Sequence, residues 1–159
     1  MMHSSDIHRS NDRYDLDRFL QAQQNSYAQA LSEIRSGRKR THWMWFIFPQ
    51  FAGLGSSSTA RHYAIRSVEE AQAYLEHELL GARLPECADA ALCVEGRTAK
   101  DIFGSPDDGK PRSCATLFAR ISPSDSVFER LLEKYYEGEC DSRTLELMGT
   151  AARYCPDVM

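Results

Sequence analysis

Two adjacent carboxylates, Asp107 and Asp108, stand just ahead of Lys110 in the stretch GSPDDGKPRS. A carboxylate beside a lysine can act as a general base or stabilise a developing cation. The same pair also suits the positive end of a helix, where it contributes stability alone. That plainer role weighs more, because first turns of helices are commonly acidic. His42 opens the tract HWMWFIFPQ and Gln50 closes it. His42 is a candidate acid or base, although a single histidine at a segment start is more often a hydrogen-bonded structural residue. Gln50 could read an amide or a base edge. Between them, Trp43, Trp45, Phe46 and Phe48 each remove roughly 150–250 Å² from water when buried. Most of these rings are core. A short segment that is apolar on every side cannot turn all of them inward, so Trp43 or Trp45 is a candidate wall for a flat ligand.

The loop FAGLGSSSTAR follows the tract. Gly53 and Gly55 allow close backbone approach, and Ser56 and Ser57 precede a helix predicted to begin near Thr59, whose free amides would attract an anion. No G-K-[ST] or third glycine completes a phosphate-binding fingerprint. A capped turn is the more ordinary explanation. His42, His62 and His77 lack metal-ligand spacing, so neither a metal nor a cofactor is expected.

These residues need elements to hold them. Leu16, Phe19, Leu20, Gln23, Tyr27, Leu31 and Ile34 share one helical face, which predicts a helix capped by Asp15, stapled by Tyr14 to Phe19 and stopped at Gly37. The basic run Arg35 to Arg40 suits that helix C-terminus. Capping boxes at Ser67–Glu70 and Ser126–Glu129, and caps at Thr98 and Asp141, predict further helices. The set from Leu79 to Leu92 is helical in spacing, with Pro85 expected to kink it or begin a new segment. The tract itself fits a buried strand or a buried helix, and a central helix capped by Thr41 and ended by Pro49 is the preferred assignment.

The chain has 159 residues, 42% hydrophobic and 26% charged, which is ordinary for one folded domain. Residues 1–13 read as a disordered arm and residues 14–159 as a single compact multi-helix domain, mainly α. The formal charge of -4 opposes general nucleic-acid binding. The longest apolar run, Trp43 to Phe48, is far short of the ~20 residues a membrane span needs. Five cysteines without a C-x-x-C pair, and no apolar leader, predict free thiols and a cytoplasmic location.

The segments YDLDRFLQAQ, GRKRTHWMWFIFPQ with GLGSSS, IFGSPDDGKPRSCATLF and KYYEGECDSRTLEL resemble, in order and spacing, the bacterial family catalogued as domain of unknown function 1810. The resemblance runs from about Tyr14 to Leu147 and implies a mainly α single domain. It brings no activity, ligand or catalytic residue. The chain departs from the family pattern at Gly109 and Pro111, which questions a helix start at Pro106.

The leading functional expectation is a small polar or nucleotide-like ligand bound between the aromatic tract, the GLGSSS loop and the PDDGK loop. Trp43, Trp45, Gln50, Gly53, Gly55, Ser56, Ser57 and Lys110 would bind it, and Asp107, Asp108 and His42 would carry any chemistry. One alternative is a hydrolase, for instance of N-glycosidic bonds, with an aspartate supporting an oxocarbenium-like transition state. The other is a partner-binding adaptor using exposed aromatics.

Overall fold

The apolar stripe from Leu16 to Ile34 is carried by two helices rather than one, α1 (Asp17–Gln24) and α2 (Tyr27–Arg35). Asn25 and Ser26 leave helical geometry between them, and both are residues whose side chains compete for the backbone. The break re-aims the stripe: α1 packs on α3 (Met44–Ile47), and α2 packs on α6 (Leu80–Leu92). The computed structural model describes residues 12–149. The arm assigned to 1–13 therefore lies outside the described residues except at its end. There Asp12, not Asp15, caps α1, its carboxylate accepting from the Leu16 and Asp17 amides at 2.6 and 2.9 Å. Gly37, at φ +80, ends α2 as predicted. Its amide donates to Ile34 C=O and the Arg38 amide to Glu33 C=O, which satisfies two terminal carbonyls.

The remaining helices are α4 (Ser58–His62), α5 (Val68–Glu76), α7 (Ala99–Phe103), α8 (Lys110–Arg120), α9 (Val127–Tyr136) and α10 (Ser142–Met148). The predicted caps hold. Ser67 and Ser126 accept from the Glu70 and Glu129 amides, while the two glutamates reach one residue further back, to the Arg66 and Asp125 amides. Thr98 and Asp101 form the fully reciprocal box. Pro85 neither breaks α6 nor begins a new segment. Leu80, Leu84, Cys87, Ala88 and Ala91 are all buried, and packing on α2, α5 and α9 outweighs the lost hydrogen bond.

The aromatic tract is not the central helix. α3 is a single turn, and Thr41 does not cap it, because its hydroxyl donates to Glu33 instead. Beyond Pro49 the chain is extended and pairs in parallel with Ile65, whose amide donates to Gln50 C=O at 2.9 Å and whose carbonyl accepts from Ala52. Within the tract the helical assignment holds over Met44–Ile47, and the isolated bridge at Phe51 lies beyond it. The central helix is α8, buried from Ser113 through Ala119 and packed on α9 and α10. It starts at Lys110, after a 3₁₀ turn over Asp107–Gly109, with Pro111 in the first turn, where no amide is needed.

Cys87, Cys93 and Cys114 are free. Cys140 is disulfide-bonded, so the expectation of five free thiols does not hold. Separation along the sequence does not report proximity in space. Cys155 lies outside the described residues. No helix among the described residues is long and apolar enough to cross a membrane.

Candidate functional site

The tract is held from behind by a buried carboxylate. Glu33, on the inner face of α2, is 5% exposed. It accepts from the Arg40 and Thr41 amides, the Thr41 hydroxyl, the Gln29 amide and Trp43 Nε1, at 2.7–3.0 Å. Burial alone raises its carboxyl, and these donors outweigh that, lowering it to about 2. Such an anion, satisfied by hydrogen bonds rather than by a cation, fixes the loop after α2 and locks the Trp43 ring into the core. Trp43 is accordingly 1% exposed.

In front of the tract, one aspartate joins two lysines. Asp107 accepts from Lys110 at 2.8 Å and from Lys39 at 3.2 Å. Lys39 Nζ stands 5.5 Å from the Trp43 ring centroid, and Lys110 Nζ 5.0 Å from that of Trp45, a cation–π arrangement at each tryptophan. Burial raises the Asp107 carboxyl, but the hydrogen bonds from Lys110 and Lys39 prevail and hold it below the ordinary aspartate range. Asp108 is half-buried and its backbone carbonyl accepts from the Tyr136 hydroxyl at 2.7 Å.

The half-buried Trp45 also borders a cavity of about 190 Å³ between the tract, the glycine loop and α4. Gln50, Phe51, Gly53, Gly55 and Tyr63 contribute to the lining. Gln50 is 6% exposed, and its Nε2 is buried with no hydrogen-bond partner among the described residues. A Cβ on Gly55 would stand 2.6 Å from Ala60 Cβ and 3.1 Å from the Trp45 ring, so this glycine lets the loop close on the protein itself. Gly53, at φ +104, lies against Leu147 of α10.

The predicted residues thus fall into two groups. Trp45, Gln50, Gly53 and Gly55 come together at the cavity, with Lys110 reaching it only through the Trp45 ring. Trp43, Asp107, Asp108, Ser56, Ser57 and the exposed His42 are not among its lining residues. Ser57 caps α4 through the Ala60 amide, and Ser56 C=O accepts from Arg61 Nε and Nη2 at 3.0 and 2.6 Å. That is a capped turn in which Ser57 engages its side chain and Ser56 its backbone carbonyl, both residues being exposed. Sequence reasoning missed Arg61 and Arg66, both of which line the cavity. Only the placement of Arg66 directly before the Ser67 capping box pointed to an ordered position.

No group of three or more histidine, cysteine or acidic side chains among the described residues is arranged to hold a metal ion. Residues 13–148 match the family described as "Protein of unknown function (DUF1810)". The fold is similar to the crystal structure of the conserved hypothetical protein Rv1873 from Mycobacterium tuberculosis, with a TM-score of 0.85 and 52% identity over 87% of this chain and 99% of that one. No curated protein matches the sequence.

Proposed function

The chain belongs to the DUF1810 family of unknown function, and from its own residues we propose that it is a binding domain for a small polar ligand, seated in the cavity beside Trp45. The observation that carries this reading is the Gln50 amide. A buried N–H left unpaired costs roughly 1–3 kcal/mol, and since Gln50 belongs to the cavity lining, a ligand acceptor that reached this donor would recover that cost. Trp45, Phe51 and Tyr63 supply the apolar surface that small-molecule sites commonly have.

The hydrolase alternative has less support. Asp107 is kept ionised by two lysines, and neither it nor Asp108 lines the cavity. The adaptor alternative has less still, since the exposed large hydrophobic among the described residues is Leu79 and not an aromatic. General nucleic-acid binding is no part of the proposal, given the charge of -4. A bacterial, cytoplasmic setting belongs to it, supported by the free Cys87, Cys93 and Cys114 and opposed by the disulfide at Cys140; cell fractionation decides it.

The test is a thermal-shift screen of wild type and Gln50→Leu against a metabolite library. A ligand at a hundredfold its Kd stabilises by about 2.7 kcal/mol. Compounds that stabilise wild type should lose that effect in the variant. Equal stabilisation of both proteins by every hit would refute the site.

A further inference from the structure

Resting on the cavity as the binding site, we infer that its ligand is a small organic anion: a single-ring body, or an apolar body of that size, bearing one oxyanion group. Three observations lead there. The lining includes two arginines, Arg61 and Arg66, and no aspartate or glutamate, in a chain whose formal charge is -4. Both arginines are exposed, and they are the charged side chains among its lining residues.

The two arginines are also differently committed. Arg61 spends Nε and Nη2 on Ser56 C=O, which fixes its guanidinium at the glycine loop. Arg66 uses its backbone amide for Glu70, and its guanidinium has no hydrogen-bond or ion-pair partner among the described residues. A fixed guanidinium and an unpaired one on the lining of one cavity suit an oxyanion, which accepts several charge-assisted hydrogen bonds at once.

Size and surface define the rest of the ligand. An apolar protein cavity of ~150 Å³ holds benzene, and this one, at about 190 Å³, has room for one ring with a polar substituent. Trp45, Phe51, Leu54 and Tyr63 would cover the ring, and Gln50 Nε2 would donate to an acceptor on it or beside it. Carboxylate and phosphate share the oxyanion chemistry, and the experiment separates them.

Four probes of one ring size are titrated by ligand-observed NMR: benzoate, phenyl phosphate, benzamide and benzylamine, each with wild type, Gln50→Leu and Arg66→Glu. At least one of the two anions should bind wild type, and the stronger of them identifies the oxyanion. Benzamide should bind ~10-fold more weakly or worse, and benzylamine not at all, because the charged contact is lost or reversed. Arg66→Glu should weaken the anions ~10-fold while leaving benzamide unchanged, and Gln50→Leu should weaken anions and benzamide alike. Benzamide binding as tightly as the anions, and indifferent to Arg66→Glu, would overturn the anion inference while leaving the cavity as a binding site. No binding of any probe at millimolar concentration would overturn both.

Discussion

Glu33 takes five hydrogen bonds into a buried position with no cationic partner among the described residues, so its contribution to stability must depend on its charge. Its carboxyl is lowered from 4.5 to about 2 in the folded protein, a difference of roughly 3 kcal/mol. Because the folded value lies below the unfolded one, that stability is present above pH 4.5 and lost as the pH falls toward 2. Urea unfolding at pH 7 and pH 3 should show wild type losing more stability than Glu33→Gln, which cannot titrate; equal losses would remove Glu33 from this role. Asp107→Asn is the contrasting case. Its ion pairs are partly exposed, so the change should cost about 1 kcal/mol or less in the same assay. No spacing in the sequence distinguishes the two. Glu33 reads as a charged interruption of an apolar stripe, and its donors Arg40, Thr41 and Trp43 belong to the following segment. Asp107, in a loop with a lysine nearby, reads as the more chemical of the two although it is tied into ion pairs.

At the scale of elements, what was legible is what is local. A serine and the amide three residues on are joined within one turn, so the caps at Ser67 and Ser126 depend on little else. The interruption at Asn25 and Ser26 and the continuity of α6 through Pro85 were not legible, because each is decided by what the helix packs against. The glycine loop lies between these cases: its glycines announced a close approach but not to what. Since a Cβ at Gly55 would press on Ala60 and Trp45, Gly55→Val should displace the loop from α4. The expected result is a lower Tm together with a changed Trp45 environment, read from the indole N–H resonance. An unshifted resonance and an unchanged Tm would show that the loop has slack the packing denies.

Across the whole molecule, Arg18 joins parts that are distant in sequence. Its guanidinium donates to the carbonyls of Tyr14, Asp15, His62 and Ala64 at 2.7–2.8 Å and pairs with Glu70 at 2.5 Å, with both side chains 4% exposed. The N-terminal turn, the end of α4 and the start of α5 therefore close on one side chain. Arg18→Ala leaves Glu70 buried without its counter-charge and should cost about 3–5 kcal/mol. Arg18→Met with Glu70→Gln should recover part of that loss in chemical denaturation, and no recovery would mean that the carbonyl contacts dominate. The mainly α domain was legible from caps and stops alone. Of the residues that line the candidate cavity, Trp45, Gln50, Gly53 and Gly55 stood out in the sequence; Arg61 and Arg66 did not, since nothing local marks an arginine that reaches a cavity.

The two tryptophans of the chain also differ in a way that makes the protein its own optical probe. Trp43 is 1% exposed and hydrogen-bonded to Glu33, while Trp45 is half-buried on the cavity wall. Acrylamide should quench one emitting population and leave the other nearly untouched, with Trp45→Phe removing the quenchable part. Occupation of the cavity would then appear as protection of that population alone, so binding can be followed by intrinsic fluorescence without a label and before any activity is known.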